Sequence, residues 1–449
     1  MYEIVDEEKV WNGFKQMQNY LGNVITVFSE ASNHNYYDQK NKKYIDTTSN
    51  MLASILGHNV TEIKDSIIKQ YEKMDSCSLM QETSDISIVY TKALLDHFGD
   101  IYNHIFYTNS GSEACDTSVK IAQQYFYNKG MHNKNKIISL EGAYHGSTIA
   151  ATLISADQYG MRAVKWGEAP VLQVVPPRKR DCPHNLSQEE WVSQCLAELS
   201  SLIQEEDSKT IAAIIVEPVQ LSNAVAVIPD EYFVGIRDIC DRNNILFIAD
   251  EVATGFGHTG KMFACESWGV WPDMITVAKA ITNGTIPMGG VITTSDIYNE
   301  FIGTMDSGRE LSHGFTTSGN PLGCAAAFAT LKYMNDHQVL KNVESLESSF
   351  IGGLSELRRY RFVESLGGVG FMFGIKFKKV TLHQYDNIDV GVFIDGALKS
   401  KGLLVYYEGF QKMFIVPSLT STSTEISHIT AIINKVFKLV EDFLEQRGD

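Results

Sequence analysis

The sequence predicts an α/β fold: a large domain on a mixed, mostly parallel sheet, with a smaller α+β domain beside it. Between about residues 105 and 295, short β-branched runs alternate with amphipathic helical runs, as parallel strands joined by crossover helices do. The runs IAAIIVEP (211–218) and ILFIAD (245–250) carry apolar residues on both faces, as strands covered on both sides do. Beyond about 330 the pattern changes to long helical stretches around a Gly-rich strand. A chain of 449 residues also exceeds the ~250–300 at which a single core stops growing. The predicted division is a segment 1–60 that joins the small domain, a large domain 61–330, and a C-terminal small domain 331–449.

Taken in order, 35–38 and 43–46 read as two short strands around the polar turn 39–42. Residues 86–99 have helical periodicity and stop at Gly99. HIFY (104–107) is a strand, and the run from Cys115 is a helix. Pro229 to Asn243 is a helix whose stripe is Tyr232, Phe233, Ile236 and Ile239, and it leads into the strand 245–250. Residues 331–359 read as helical, and GGVGFMFGIKF (367–377) as one Gly-rich strand. The last helix, 424–446, places Ile426, Ile429, Ile432, Ile433, Val436, Phe437, Val440 and Phe443 on one core-facing stripe.

Composition excludes several function classes. The formal charge is −16, which repels nucleic acid and anionic membrane surfaces while leaving room for a small anion in a local pocket. No apolar run approaches the ~20 residues of a membrane span. Seven cysteines, odd in number and without a CxxC pair, suggest neither a zinc site nor a disulfide framework. The acidic start MYEIVDEEKV lacks an apolar signal region. The expectation is a cytoplasmic protein with no metal site, its cysteines having no part in the chemistry.

Six constellations can carry chemistry. Thr108-Asn109-Ser110-Gly111-Ser112-Glu113-Ala114 joins a strand to a helix start, where free N–H groups and the helix dipole favour an anion; a plain capping box is the other reading. Tyr144-His145-Gly146 offers a ring to stack on a flat ligand or an acid/base group, or is an ordinary loop. Glu217, with Gln220 beyond it, and Asp250-Glu251 end apolar strands, where open α/β sheets bind ligands. A carboxylate there stays ionised only with a cation or several donors, unless it merely caps the next segment. Lys279 ends the apolar run MITVAK; it is a Schiff-base candidate if desolvated and a snorkelling surface lysine otherwise. His313-Gly314-Phe315-Thr316-Thr317-Ser318-Gly319-Asn320-Pro321 is a hydroxyl-rich helix entry that could hold another phosphate oxygen. Together, an anion cradle, a stacking ring, a buried Asp and a Schiff-base Lys make a complete set for one cofactor, pyridoxal 5'-phosphate.

Over roughly residues 30–445 the sequence resembles the class III (ω-type) aminotransferases, pyridoxal phosphate enzymes of fold type I. The most specific segment is Ile248-Ala249-Asp250-Glu251-Val252-Ala253-Thr254-Gly255-Phe256-Gly257-His258-Thr259-Gly260, followed by Pro272-Asp273 and Lys279. The 248–257 segment and Lys261-Met262-Phe263-Ala264-Cys265-Glu266 look closest to the 7,8-diaminopelargonate aminotransferases of biotin synthesis. Thr282-Asn283-Gly284-Thr285-Ile286-Pro287-Met288-Gly289 is more similar to the ω-amino-acid:pyruvate branch.

The resemblance implies that Lys279 carries the cofactor as an imine and shuttles protons, and that Asp250 pairs with the pyridinium nitrogen. It implies that Val252 and Tyr144 pack on the two ring faces and that Gly111 and Ser112 bind phosphate. Glu217 would be a further member of the site. Thr316 would reach the phosphate in a neighbouring subunit, making the active unit a homodimer with shared sites. Leu52, Tyr144, Gly314 and Tyr406 are the candidate substrate contacts. Two departures concern the substrate. The biotin enzymes carry Trp-Trp where this chain has Met51-Leu52. A family arginine that grips a substrate carboxylate is replaced by Tyr406-Tyr407-Glu408 after Gly402-Leu403-Leu404-Val405. The family's arginine after Phe-Gly is His258. The expected activity is two-step transfer of an amino group from an amine to a ketone or aldehyde, with one partner lacking a carboxylate near the reacting carbon. The alternatives are 7,8-diaminopelargonate formation, decarboxylation or an aminomutase reaction on the same site, or cofactor binding without turnover.

Overall fold

A computed structural model describes residues 10–14, 26–155, 170–382, 388–408 and 411–445. The start 1–9 and Gln446, both read above from sequence, lie outside these residues.

The central sheet has seven strands. From one edge to the other they are His104–Thr108, Gly289–Thr293, Met274–Val277, Leu246–Asp250, Ile211–Val216, Lys136–Leu140 and Val171–Val174. All run parallel except Gly289–Thr293, which is antiparallel to both neighbours. Every residue of Ile211–Val216 and Leu246–Asp250 is buried, as continuous apolar runs require. Helix Gly111–Asn128 covers one face; Asp230–Asn243 buries Tyr232, Phe233, Ile236 and Ile239, the stripe read from sequence. Register aligns Asp250 with Thr276 on the next strand.

A second, antiparallel sheet follows the order Val363–Val369, Met372–Phe377, Lys412–Ile415, Tyr406–Glu408. The run 367–377 is therefore not one strand but the two arms of a hairpin, which turns at Gly370 with φ +57°. Its glycines are there for close approach. A Cβ on Gly374 or Gly367 would lie 2.1 or 2.2 Å from the carbonyl oxygens of Ala224 and Val225, and one on Gly370 would lie 2.2 Å from that of His258. The sheet is thus pressed onto the loop that follows Gln220. Residues 331–359 are likewise not one helix. Helix Pro321–Asp336 ends before Gln338, which has φ +50°, and Val339–Ser355 starts afresh.

The N-terminal strands Phe28–Ser32, Asn35–Asp38 and Lys43–Asp46 form a third sheet, which Leu403–Leu404 joins in parallel through Leu403↔Ile45. Helix Ser423–Glu445 buries Ile426, Ile429, Ile433, Val436, Phe437, Val440 and Leu444; Ile432 and Phe443 are half-buried at the rim of that stripe. Among the described residues, no helix is long and apolar enough to cross a membrane.

Candidate active site

At the carboxyl ends of the parallel strands lies a cavity of about 310 Å3. Among the chain segments that meet in its wall, five carry residues that can do chemistry. The turn after His104–Thr108 brings Ser110, Gly111 and Ser112 at the start of an 18-residue helix. The Ser110 hydroxyl accepts from Glu113 N at 3.2 Å and so caps the helix, but Glu113 Oε2 accepts from Asn109 N at 2.6 Å rather than from the Ser110 amide, so only half of a capping box is present. The cap and the cavity wall coexist, because capping uses Ser110 and Glu113, while Gly111 and Ser112 face the space. Gly111 has room for no side chain: a Cβ would lie 2.6 Å from Val252 Cγ1. Tyr144, His145 and Gly146 bring the second wall. Gly146 has φ +133°, and a Cβ there would lie 2.5 Å from Ser112 Oγ. The Ser112 hydroxyl also accepts from Ser147 N at 3.0 Å. Glu217, Asp250 with Val252, and Lys279 complete the ring. Lys279 itself has φ +49°, a left-handed conformation costing about 1–2 kcal/mol for a residue with a side chain, which the packed turn around it must enforce.

Asp250 is the electrostatic centre. Its Oδ2 accepts from His145 Nδ1 at 2.7 Å and from Cys115 Sγ at 3.3 Å. Its Oδ1 accepts from Thr276 Oγ1 at 2.9 Å and from Val252 N at 3.1 Å. Burial acts to raise this carboxyl, but His145, Val252 and Thr276 outweigh it and hold the group below its ordinary range. His145 moves the other way: burial lowers it, Asp250 outweighs burial, and the imidazole is raised. Burial lifts Glu217 to about 7, against the pull of His145 and the Tyr144 N–H that it accepts at 2.8 Å. Burial lowers the Lys279 amine, with Asp250 and Glu217 opposing. The wall thus pairs a carboxyl that its donors hold below the ordinary range with an amine that burial pushes below its own, the division of labour an imine-forming lysine needs.

Of the residues singled out from sequence, the structure gathers Lys279, Asp250, Glu217, Val252, Tyr144, Gly111 and Ser112 around this cavity. Four lie elsewhere. Leu52 ends the turn Ser49–Leu52, whose four residues all have φ between +45° and +65°. That turn points it into an apolar cluster with Val219, Leu221 and Phe414, and the neighbouring Ala53 lines the cavity instead. Tyr406 stacks on Phe414 at 5.5 Å and packs against the same cluster. Thr316 and Gly314 are exposed on the 311–320 loop, and Gly314 borders a separate groove. Gln220 is buried and donates to Glu141 O at 3.0 Å while accepting from Arg178 Nε at 2.6 Å, so it braces the loop rather than lining the cavity.

Over residues 17–437 the sequence matches the family described as Aminotransferase class-III. The chain belongs to the class III aminotransferases. It is 30% identical to adenosylmethionine-8-amino-7-oxononanoate aminotransferase of Methanocaldococcus jannaschii, covering 96% of this chain and 97% of that one. It is 31% identical to gamma aminobutyrate transaminase 3 of Solanum lycopersicum, covering 94% and 82%. Among solved structures it is similar to an amine transaminase from an uncultivated Pseudomonas species in its PLP-bound form, with TM-score 0.90, 25% identity, and coverage of 96% and 99%. The fold is that of the fold-type-I pyridoxal phosphate transaminases, and the protein is an enzyme that transfers amino groups between small molecules with this cofactor.

The aminotransferase cavity fits pyridoxal phosphate on its own geometry. A helix start with two glycine-tight approaches suits a phosphate, the ionised Asp250 suits a ring nitrogen, and the buried His145 Nε2 has no partner among the described residues. The sequence reading missed two donors. Cys115, expected to have no part in the chemistry, stands one helical turn after Gly111 and points at Asp250; the i, i+4 spacing is the signal that could have found it. Thr276 reaches Asp250 only through strand register, which the sequence does not display. Cys115, His145 and Asp250 each bring one potential ligand atom within 4.8 Å of the others, but the thiol and the imidazole Nδ1 both donate to the Asp250 carboxylate, so the cluster is already used as a hydrogen-bond group. His258 is buried, donates from Nε2 to Leu52 O at 3.2 Å, and is pushed down to about 4 by burial, so it is neutral where the family's arginine would be charged.

Proposed function

We propose that Lys279 holds the cofactor and moves the proton in both halves of the transfer, that Asp250 pairs with the ring nitrogen, and that one reaction partner carries no carboxylate near the reacting carbon. When bound, pyridoxal phosphate supplies an electron sink for the carbon that exchanges its amine. The observation that carries the reading is that Lys279 and Asp250 share one cavity with a glycine-tight helix start. Burial lowers the Lys279 amine, which brings a neutral Nζ closer to working pH. Gly111 and Ser112 bind the phosphate. Val252 and Tyr144 enclose the ring, and Glu217 fixes Tyr144 through its backbone N–H.

The substrate reading rests on the wall's charge. Among the described lining residues, Lys279 is the single lysine or arginine. A carboxylate next to the reacting carbon finds no guanidinium fork there. The exposed position of Thr316 supports a homodimer in which it reaches the partner's phosphate, and the exposed Met80 and Ile88 beside the neighbouring groove fit a covered face. The seven free cysteines support a cytoplasmic location. Pairing of Leu403 with Ile45 supports the assignment of 1–60 to the small domain 331–449, with 61–330 as the cofactor domain.

The test is a screen of amine and carbonyl pairs that follows loss of the yellow cofactor band with each amine and identifies each product. Turnover of carboxylate-free amines is expected. Reaction with 8-amino-7-oxononanoate alone would replace this reading with the biotin-pathway one. Release of carbon dioxide or a rearranged amine would replace transfer with decarboxylation or an aminomutase reaction.

A further inference from the structure

A carboxylate offers about four lone-pair positions. In this chain four of its own donors address Asp250: His145 Nδ1, Cys115 Sγ, Thr276 Oγ1 and Val252 N. A ring N–H directed at the same carboxylate must therefore compete with one of them. Three are poor candidates to yield. The Val252 amide is fixed by the backbone. The His145 bond is short and charge-assisted. The Thr276 side chain stands on the strand paired with Asp250. The thiol is the weakest donor of the four. It has a second acceptor in reach, Thr276 Oγ1 at 3.8 Å. Cys115 is fully buried, and both burial and the Asp250 charge push its thiol up, so the proton stays on sulfur.

We propose that Cys115 is a displaceable donor: its S–H holds one lone pair of Asp250, yields it to the ring N–H when pyridoxal phosphate binds, and turns to Thr276 Oγ1. No covalent bond changes; one hydrogen bond to Oδ2 is exchanged for another. Cys115 is thus a positioning residue that sets how much cofactor affinity Asp250 can give. The inference rests on the reading that Asp250 meets the ring nitrogen.

The experiment measures the pyridoxal phosphate dissociation constant of the full chain and of Cys115→Ala and Cys115→Val. Both variants remove the competing donor, and Val refills the volume. Both should bind the cofactor about fivefold more tightly, the net worth of one hydrogen bond. A packing role predicts weaker binding in Cys115→Ala and unchanged binding in Cys115→Val, and that pattern would overturn the proposal. The infrared S–H stretch of the unmutated chain gives an independent reading that needs no variant to fold. It should shift when pyridoxal phosphate is added, and a fixed band would overturn the proposal. If Asp250→Asn bound the cofactor as well as the unmutated chain, the Asp250 reading would fall and this proposal with it.

Discussion

Glu217 is the group whose replacement by Gln has the most direct thermodynamic consequence. Its carboxyl is buried at the carboxyl end of strand Ile211–Val216, and burial raises it from 4.5 to about 7. The unfolded chain releases this proton near pH 4.5, whereas the folded chain keeps it to about pH 7. The folded state therefore binds more protons in that window, and stability falls as pH rises through it. The contribution is fully present below about pH 4.5 and lost above about pH 7. At 1.36 kcal/mol per pH unit, the loss is about 3 kcal/mol. Gln keeps an Oε1 acceptor for the Tyr144 N–H, which lies at 2.8 Å from the Glu oxygen, and has no proton to titrate. The stability of Glu217→Gln relative to the parent should therefore rise by about 3 kcal/mol between pH 4.5 and pH 8. With an unfolding entropy of ~2.1 cal/mol/K per residue, a chain of 449 residues gains about 1 °C in Tm per kcal/mol, so the relative Tm should rise by about 3 °C. Calorimetric scans of the two cofactor-stripped proteins at matched rates, from pH 4.5 to 8, measure the difference, and groups common to both cancel. A difference that stays flat or declines would refute the argument.

Lys279→Ala should abolish the yellow cofactor band and lower turnover by about 10^4-fold or more, measured by absorbance and amine release; a band that survives would remove Lys279 from the centre of the reaction. Gly146→Ala places a Cβ 2.5 Å from Ser112 Oγ at a backbone φ of +133°, so it should cost about 1–3 kcal/mol of stability and weaken cofactor binding, read as a lower Tm and a higher dissociation constant. Asp46 accepts from His58 Nε2, Asn50 N and Thr48 N, each at 2.9 Å, and from the Thr48 hydroxyl. Burial raises its carboxyl, but His58 and Thr48 outweigh it, so the group lies below its ordinary range. Its contribution is present above about pH 4 and lost as pH falls. Asp46→Asn should destabilise the chain by about 3–5 kcal/mol at neutral pH, and the gap should narrow in acid, as thermal scans across pH would show.

The sequence displayed what depends on local pattern. Strands 211–216, 246–250 and 274–277 were visible because two-sided burial demands unbroken apolar runs, and Glu217, Asp250 and Lys279 were visible because they break those runs at one end. It did not display what depends on register or on distant approach. Thr276 faces Asp250 only because two strands align at that level. The hairpin at 367–377 looked like one strand because its glycines serve contacts with Ala224 and Val225, some 150 residues away, and also loosen the alternation that would mark two strands. Leu52 is a substrate contact by the family resemblance, since it stands where the biotin enzymes carry Trp. A left-handed turn of four residues with side chains moved Ala53 to the cavity instead, and no local propensity favours such a turn. It is held from outside itself, by Asp46 on the backbone N–H of Asn50 and by the Ser49 hydroxyl on Val416 O at 2.7 Å.

The charge arrangement of the site follows from one constraint. A chain of net charge −16 must accept a dianionic phosphate, and the described wall around the helix start offers no arginine to neutralise it. In the proposed reading, backbone N–H groups and hydroxyls serve the phosphate, because the helix dipole is local and its field falls off within a turn. The same economy applies at Asp250. Its charge is kept in a buried place by four hydrogen bonds, and the carboxylate in turn raises His145 against the opposing effect of burial. A permanent cation beside Asp250 would pull its charge away from a ring nitrogen, whereas donors that can turn elsewhere release it. The weakest of those donors, Cys115, also has a second acceptor in reach. In the proposed reading, a carboxylate so arranged keeps its charge through hydrogen bonds and can exchange one of them, as a partner of the ring nitrogen would have to do each time the cofactor enters.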